Sequence, residues 1–287
     1  MKPRVLILGG YGMLGHRLWS RCRQQFDTCA TVRTLRSGVN DFRVETIAGV
    51  SAAQLDTVRQ AFDRAQPDVV VNCIGIVKQR ESGAVEMLRV NALFPNQLAD
   101  LCKSRGARLI HLSTDCVFSG KQCNRSESDA PDATDLYGGS KRLGEVANEK
   151  CLTIRTSMIG RETGTKYGLL EWFLANSDRP VPGYTNAYFS GLTTDALSCV
   201  IAEIIEHHPG LAGIWHVAGP RISKHDLLCI LREAFGTIAP ILPDSSVRID
   251  RSLNGDAFRR QTGWTAPTWS EMIAALAPAA ELTGATQ

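Results

Sequence analysis

The stretch Arg4-Val5-Leu6-Ile7-Leu8-Gly9-Gly10-Tyr11-Gly12-Met13-Leu14-Gly15 decides the fold that we predict for this chain of 287 residues. Its first five residues have the apolar pattern of a buried strand, and a helical pattern runs from Met13 to about Gln24. Gly9 permits a tight turn, Gly12 allows the backbone to approach a pyrophosphate, and Gly15 lets helix and strand pack closely. This order of elements predicts a dinucleotide site of the Rossmann type. The residues of this turn that we expect at the cofactor are Gly9, Tyr11, Gly12, Met13, Leu14 and Gly15.

The end of the second predicted strand, residues 28–33, indicates which dinucleotide binds. A site selective for NAD usually has Asp or Glu there to bind the ribose 2′-hydroxyl, and this chain has Arg33. A guanidinium suits a 2′-phosphate, so NADPH is the expected cofactor, with NADH as the alternative. Arg17 and Arg36 are nearby candidates for the same phosphate, and a solvated arginine that closes a strand is the other interpretation.

Strands and helices alternate through the first half of the chain, which predicts a parallel sheet. We expect a helix over 54–65, a strand over 69–75, a helix over 85–103 and a strand over 107–112. Ligands bind at the carboxyl ends of the strands in such a sheet. Asn72-Cys73-Ile74-Gly75 and Ser113-Thr114-Asp115 lie at these ends, so both stretches are expected near the ligand.

A second motif, Asp135-Leu136-Tyr137-Gly138-Gly139-Ser140-Lys141-Arg142-Leu143-Gly144-Glu145, places a phenol and an ammonium four residues apart at the start of a helix. Side chains at this spacing share one helical face. Because a neighbouring cation favours the phenolate, we expect Lys141 to lower the pKa of Tyr137 and to tune it as an acid. An exposed helix start with an extended lysine is the other interpretation of this spacing, and the motifs elsewhere in the chain decide against it.

The order of five motifs resembles that of the extended short-chain dehydrogenase/reductases. These motifs are the glycine turn, Asn72-Cys73-Ile74-Gly75, Val90-Asn91-Ala92, Ser113-Thr114-Asp115-Cys116-Val117-Phe118-Ser119-Gly120 and the helix with Tyr137 and Lys141. The chain looks most like the dTDP-4-dehydrorhamnose reductase branch, where a similar Ser-Thr-Asp-x-Val-Phe-x-Gly precedes Tyr-Gly-x-Ser-Lys. The resemblance is strong up to Ser157 and weaker beyond. It implies that Asn72, Cys73, Ile74, Gly75 and Asn91 contact the cofactor.

The resemblance also implies roles in catalysis. Thr114 would hydrogen-bond the substrate carbonyl, Tyr137 would donate the proton, and Lys141 would hold the ribose while it lowers the pKa of Tyr137. Asp115 and Cys116 would lie beside the sugar of a nucleotide-diphosphate sugar.

Two departures from the branch fall near that sugar. Cys116 replaces the tyrosine that is usual beside the catalytic Thr-Asp, and Met158 replaces a common tryptophan. The substrate therefore need not be dTDP-4-keto-rhamnose.

The second half of the chain is expected to bind the substrate. A strand is predicted over 152–157, and beyond Gly160 the pattern changes to loops and short elements, predicted over 168–175, 181–188, 193–207, 214–219 and 226–235. We therefore predict an α/β fold in which a doubly wound parallel sheet, residues 1–157, carries a smaller substrate lobe, residues 158–287, with segments near 190–218 returning to the sheet. Arg251 in the closing stretch 249–253 is the candidate for the substrate diphosphate, and a surface arginine is the alternative.

Composition excludes several classes of protein. The net charge is only +3 with dispersed basic residues, so no nucleic-acid or membrane surface is expected. The nine cysteines are scattered and form no CxxC pair, so we expect neither disulfides nor a metal site, and the expected compartment is the cytoplasm. The amino-terminal apolar run is too short for a signal peptide. His207-His208 is expected to be an exposed helix end, His16 could touch phosphate, and His111 and His216 are expected to be structural.

The leading hypothesis is reduction by NADPH of the 4-keto group of a nucleotide-linked 4-keto-6-deoxysugar, for polysaccharide or glycoconjugate synthesis. An epimerase or dehydratase that recycles NADP is an alternative, and Cys116 is its candidate base. A non-catalytic, NADP-binding regulatory subunit is another, and the intact Thr114, Tyr137 and Lys141 count against it. Base, sugar, stereochemistry and a homodimeric state stay open.

Overall fold

The structure is a computed structural model that describes residues 2–36, 45–80, 82–164 and 166–276. The strands are β1 (Arg4–Leu8), β2 (Asp27–Thr31), β3 (Glu45–Ile47), β4 (Val69–Asn72), β5 (Arg108–Leu112), β6 (Cys151–Arg155), β7 (Met158–Ile159), β8 (Val181–Phe189), β9 (Leu192–Thr193), β10 (Gly213–His216), β11 (Ile222–Ser223) and β12 (Ile241–Asp250). The helices are α1 (Gly15–Cys22), α2 (Leu55–Ala65), α3 (Ala84–Leu88), α4 (Phe94–Arg105), α5 (Leu136–Leu143), α6 (Leu169–Leu174), α7 (Thr194–His207), α8 (Lys224–Phe235), α9 (Asp256–Thr262) and α10 (Trp269–Leu276).

A parallel sheet of seven described strands forms the centre of the molecule, in the order β10-β6-β5-β4-β1-β2-β3. Leu6 of β1 is in register with Cys29 on one side and with Val70 on the other. The chain builds outward from β1 to β3 and then returns to β4, so the strand order reverses between β1 and β4. Ligands of open α/β sheets bind at this reversal. The predicted doubly wound α/β fold is confirmed.

Helices cover both faces of the sheet because both faces of a parallel sheet must be buried. On one face, Val5 and Ile7 belong to the core that contains Trp19 of α1 and Ile201 of α7. On the other face, Leu6 and Leu8 belong to the core with helices α2 and α4. Successive side chains of β1 point to opposite faces of the sheet, so this one strand contributes to two cores.

A smaller sheet lies in the second half of the chain. β8 pairs in parallel with β12 and antiparallel with β11, and α8 packs on β8. β10 instead pairs in parallel with β6, and α7 packs on α1, so this part of the chain completes the large sheet. The small sheet lies near the carboxyl ends of the strands of the large sheet, since residues of both line one cavity.

The observed elements differ from the predicted ones in several places, of which three bear on the site. Strand β3 was not predicted, since it has only three residues. The helix predicted over 85–103 is divided by a π-helical turn, Arg89–Leu93, between α3 and α4. The closing stretch 249–253 begins with the last two residues of β12, a strand of ten residues that was not predicted. Most of β12 is exposed or half-buried, so its apolar residues do not alternate and the pattern gave no signal.

Candidate active site

A cavity of about 530 Å³ lies at the carboxyl ends of the central strands. Residues that follow four parallel strands line it: Gly12 after β1, Ile74 after β4, Thr114 after β5 and Ser157 after β6. Tyr137 and Lys141 of α5 form another part of its wall, and residues of β8, α8 and the end of β12 form the part opposite. The volume is in the range of small-molecule and cofactor sites.

The turn after β1 has the close packing predicted for its glycines. Gly9 has a φ of +86°, which is in the left-handed region that favours glycine. A Cβ at Gly15 would lie 2.1 Å from the carbonyl oxygen of Gly9, and a Cβ at Gly12 would lie 3.2 Å from the same atom. Gly12, Met13 and Leu14 line the cavity, whereas Gly9 and Gly15 shape the turn behind it. Because these glycines have no side chains, the backbone of the turn leaves a space that fits the pyrophosphate of a dinucleotide.

Asn72 and Asn91, both predicted to contact the cofactor, are buried outside the cavity lining. The Asn72 carboxamide accepts a hydrogen bond from the Ile74 amide at 3.1 Å, and its nitrogen is 3.1 Å from Nδ1 of His111. The Asn91 carboxamide binds both the amide and the carbonyl of Ile76, at 2.8 and 2.9 Å. The two asparagines therefore fix the loop after β4. The cavity-lining residues of that loop include the predicted Cys73, Ile74 and Gly75.

Helix α5 presents Tyr137 and Lys141 to the cavity on one face, as their spacing predicted. The carboxylate of Asp135 caps the helix by accepting a hydrogen bond from the Gly138 amide at 3.0 Å. The ammonium of Lys141 is buried and donates to the carbonyl of Leu112, the last residue of β5, at 2.6 Å. The lysine is thus anchored to the edge of the sheet.

Burial controls the protonation of both residues. Burial raises the pKa of the Tyr137 phenol above its usual value, and the hydrogen bond with Thr114 opposes this shift. Burial lowers the pKa of Lys141 to about 8, and the Glu145 carboxylate opposes this shift. The predicted lowering of the Tyr137 pKa is therefore wrong for the chain by itself, because the loss of water around the phenolate outweighs the hydrogen bond from Thr114. Tyr137 holds its proton at neutral pH.

The segment after β5 places three polar side chains on the cavity wall, those of Thr114, Asp115 and Cys116. The Thr114 hydroxyl accepts a hydrogen bond from the Cys116 amide and donates one to the Asp115 carboxylate, each at 3.1 Å. Burial raises the pKa of Asp115, and it raises the pKa of Cys116 to about 12. A thiol with this pKa stays protonated at neutral pH, which does not favour a base at this position.

Three arginines were candidates for a 2′-phosphate, and they differ in their partners. Arg17 donates from Nε to the Asp195 carboxylate at 2.9 Å. Arg36 lies over the ring of Tyr11, 5.0 Å from its centroid. Arg33 is exposed just beyond the end of β2, and no hydrogen bond or ion pair joins its guanidinium to any other residue that the structure describes. Of the three arginines, Arg33 is therefore the one whose guanidinium has no partner among the described residues.

The opposite wall contains Arg251, as predicted, and a lysine that sequence reasoning missed. Arg251 lines the cavity and donates from Nε to the Phe118 carbonyl at 3.0 Å. Lys224 is the first residue of α8, and its Nζ lies 4.1 Å from the ring centroid of Phe189 in the same wall. Burial lowers the pKa of Lys224. The predicted helix over 226–235 began two residues after α8 begins, so Lys224 lay outside it and was not identified.

The histidines lie apart from this chemistry. Nδ1 of His16 is 2.8 Å from the carbonyl oxygen of Gly12, so the ring binds the glycine turn from inside the protein. His111 and His216 are buried in strands, as predicted. Among the described residues, no group of His, Cys, Asp and Glu has a metal-binding arrangement. No helix in the described ranges is long and apolar enough to cross a membrane.

Comparison with known sequences identifies relatives over nearly the whole chain. A family model described as the RmlD substrate binding domain matches residues 2–280. The dTDP-4-dehydrorhamnose reductase of Salmonella typhimurium is 27% identical over 237 residues, which cover 74% of this chain and 79% of the relative. The methionine adenosyltransferase 2 subunit beta of Danio rerio is 34% identical over 251 residues, which cover 81% of this chain and 74% of the relative.

The fold also matches solved structures. The dTDP-4-dehydrorhamnose reductase of Bacillus anthracis in complex with NADP superimposes with a TM-score of 0.80 at 21% identity. The superposition covers 96% of this chain and 99% of that structure. At this identity the comparison shows a shared fold.

Proposed function

The chain belongs to the family described as the RmlD substrate binding domain, and we propose that it is an NADPH-dependent reductase of the 4-keto group of a nucleotide-linked 4-keto-6-deoxysugar. The family confirms the resemblance to the dTDP-4-dehydrorhamnose reductase branch. The relative from Salmonella typhimurium supports the class of reaction, since its name states a reduction of a 4-dehydro sugar. The chain is accordingly an NAD(P)-dependent oxidoreductase, and the proposed biological role is synthesis of a polysaccharide or glycoconjugate.

One observation carries the proposal: Thr114, Tyr137 and Lys141 line the same cavity as the glycine turn after β1. NADPH supplies the hydride when it is bound, and the glycine cradle fits its pyrophosphate. Transfer of hydride to a carbonyl carbon leaves an alkoxide that needs a proton. Tyr137, protonated at neutral pH, donates that proton, and the Thr114 hydroxyl turns its hydrogen bond from Asp115 to the same oxygen. General acid catalysis of this kind contributes on the order of 10²–10⁴ to the rate.

Lys141 assists Tyr137 as the acid through its positive charge. Its pKa of about 8 leaves the ammonium predominantly charged at neutral pH. A buried positive charge near the phenol stabilises the phenolate that forms when Tyr137 gives up its proton. We propose that the same ammonium binds the ribose hydroxyls of the cofactor, because it lies at the end of β5 beside the loop after β4.

Cofactor and substrate selection are assigned to three cations. Arg33, exposed at the edge of the sheet, is proposed to bind the 2′-phosphate of NADPH. Arg251 is proposed to bind the diphosphate of the sugar nucleotide, and Lys224 adds a second cation to the same wall. Cys116 and Met158 line the cavity where relatives of the branch usually have larger aromatic residues, so the sugar need not be that of dTDP-4-keto-rhamnose.

A non-catalytic regulatory subunit is the second candidate function, and the relative from Danio rerio favours it because that protein is named as a subunit. The chain keeps the three groups that reduction needs, which supports the reductase. An epimerase that uses Cys116 as its base is less well supported, because a thiol with a pKa of about 12 is a poor base at neutral pH.

The direct test is incubation with NADPH and a panel of UDP-, dTDP- and GDP-linked 4-keto-6-deoxysugars. We expect the absorbance of NADPH to fall with one class of sugar, in a ratio of one cofactor consumed to one sugar reduced. Tight NADPH binding without turnover on any sugar would instead support the regulatory subunit. Turnover without net loss of NADPH would support the epimerase or dehydratase.

A further inference from the structure

Glu145, at the end of the motif that contains Tyr137 and Lys141, has no part in the reaction described above, yet its carboxylate is fully engaged. The side chains of Glu145 and Arg155 are only 5% and 4% exposed and form an ion pair at 2.7 Å. Arg155 donates from Nε to one carboxylate oxygen and from Nη2 to the other, at 2.7 and 2.8 Å. The Ser113 hydroxyl donates to the first of these oxygens at 2.7 Å. Paired hydrogen bonds of this kind fix both charge and orientation.

The partners of this carboxylate lie on both sides of the catalytic groups. Ser113 directly precedes Thr114, and its backbone amide binds the carbonyl of Ile154 in β6 at 2.7 Å. Arg155 ends β6 and is held on its far side by Nε2 of His216, at 3.3 Å from Nη1. The carboxylate therefore joins the ends of β5 and β6 to the end of α5.

Close packing makes this connection rigid. A Cβ at Gly144 would lie 2.0 Å from the carbonyl oxygen of Asn91, so the end of α5 can lie against the π-helical turn only with glycine at that position. Glu145 follows immediately, and its amide binds the Arg142 carbonyl at 3.1 Å. The position of the carboxylate is thus determined by backbone packing as well as by its own hydrogen bonds.

The charges around Lys141 give the carboxylate a second effect. Arg155 forms an ion pair with Glu145, and the negative charge of the same carboxylate also raises the pKa of Lys141 against the effect of burial. Of the other titratable groups that face this region, Tyr137 is protonated, and burial holds the pKa of His111 well below its usual value, so that ring is neutral. Gly75 of the loop after β4 and the carboxamide of Asn91 in the π-helical turn, both uncharged, also lie near the ammonium. Asp115 is buried beside Thr114 on the side of Tyr137.

We propose that Glu145 is a positioning residue of the active site, which keeps the ammonium of Lys141 charged and holds the Ser113–Thr114 segment against α5. The inference rests on the proposed reductase function. It assigns to Glu145 no contact with substrate or cofactor. Its effect is instead exerted through the charge state of Lys141 and the placement of Thr114.

The test is the pH profile of kcat/KM for the ketosugar at saturating NADPH, in the native chain and in Glu145→Gln. A carboxylate stabilises a neighbouring ammonium, so its removal lowers the pKa of Lys141. We expect the alkaline limb of the profile to move down by roughly one pH unit, with about a tenfold loss above the limb and little loss below it. A uniform loss at every pH, with an unmoved limb, would overturn the proposal and leave Glu145 a structural residue.

Glu145→Gln leaves the buried Arg155 without its partner, which destabilises the fold, so two further variants are needed. The double variant Glu145→Gln/Arg155→Met removes both charges, and we expect it to recover part of the lost alkaline activity. Ser113→Ala keeps the ion pair and cuts only the link to Thr114, and we expect a loss of about threefold to tenfold in kcat with an unchanged KM for NADPH. Native kcat in Ser113→Ala, or no recovery in a folded double variant, would contradict the proposal.

A matched control and a second measurement separate this inference from the proposed function. Asp195→Asn removes a carboxylate from another arginine, Arg17, outside the cavity lining, and we expect it to leave the pH profile unchanged. NADPH affinity, followed by fluorescence across pH, needs no substrate. We expect affinity to weaken as Lys141 loses its proton, and to do so at lower pH in Glu145→Gln. Such a shift in a chain that reduces no ketosugar would sustain the inference and reject the proposed substrate.

Discussion

The two walls of the cavity differ in how their functional groups are held. On the wall at the edge of the large sheet, Lys141 and Thr114 are buried. Lys141 donates to the carbonyl of Leu112 in β5, and Thr114 accepts from the amide of Cys116 in its own segment. On the wall formed by the second half of the chain, Arg251 has one hydrogen bond to a backbone carbonyl, and Lys224 lies over an aromatic ring. The groups of the first wall are therefore held in place by burial and by hydrogen bonds to the backbone. The groups of the second wall are the ends of long, flexible side chains.

This difference separates the chemistry from the recognition of the substrate. Proton transfer requires atoms placed within hydrogen-bonding distance, so its groups belong on rigid elements. A diphosphate tolerates a range of cation positions, because charge attraction falls off slowly with distance. The wall with the long side chains is therefore the part of the fold in which the substrate can change while the reaction stays the same.

The largest effect should come from the rigid wall. Tyr137→Phe removes only the proton donor, and we expect kcat to fall by on the order of 10²–10⁴, with NADPH affinity little changed. Stopped-flow absorbance and NADPH fluorescence measure the two quantities. Tyr184→Phe is the matched control, because Tyr184 is on β8 but is not part of the cavity lining, and we expect native rates.

A loss of only a few-fold in Tyr137→Phe would mean that another group gives the proton. The rigid wall would then not contain the proton donor. A parallel loss of NADPH affinity would have a different meaning, since it would show that the phenol ring, rather than its proton, shapes the cofactor site.

The same division explains what the sequence could predict. The rigid wall comes from motifs of contiguous residues, so the glycine turn, Thr114 and the Tyr137–Lys141 pair were identified and brought together in one cavity. Lys224 was missed because its approach to the cavity depends on how α8 packs against β8, which no local pattern encodes. The direction of the Tyr137 pKa was missed for a related reason, since burial depends on the complete fold.

Asn72 and Asn91 illustrate the limit of motif reasoning. Both are in stretches typical of cofactor contacts, and both are instead buried behind the loop after β4. A motif identifies residues that the site requires. It does not distinguish a residue that touches the ligand from one that holds the backbone in place.

The next effect concerns the exposed edge of the rigid wall. Arg33→Ala should remove a charge-assisted contact to the 2′-phosphate, which would cost about 1.5–3 kcal/mol, or roughly ten- to a hundredfold in NADPH affinity. NADH affinity should not change. Titration of both cofactors by fluorescence measures the ratio, and Arg36→Ala is the paired variant. An unchanged ratio in Arg33→Ala, with a lost preference in Arg36→Ala, would transfer the role to Arg36.

A smaller effect is expected on the opposite wall. Arg251→Ala should raise KM for the sugar nucleotide by roughly tenfold, because one of two cations on the wall is lost, while kcat and NADPH affinity stay near native. Arg248→Ala, on the exposed part of β12, is the control with no expected change. Equal losses of sugar and cofactor affinity in Arg251→Ala would indicate a folding defect and would remove the distinction between the walls.

The smallest effect is expected at Cys116, which lies beside the catalytic hydroxyl of Thr114 but is assigned no proton transfer. Because burial raises the pKa of this thiol to about 12, it holds its proton at neutral pH and cannot act as a base toward a sugar carbon. Cys116→Ser should therefore change the rate of reduction by at most roughly threefold, far below the effect of losing a general acid or base. The reaction in heavy water should also place no deuterium at C3 or C5 of the product, since simple reduction exchanges neither carbon. Deuterium at either carbon would show that epimerisation accompanies reduction, and its disappearance in Cys116→Ser would assign that step to this thiol and make Cys116 part of the rigid catalytic wall.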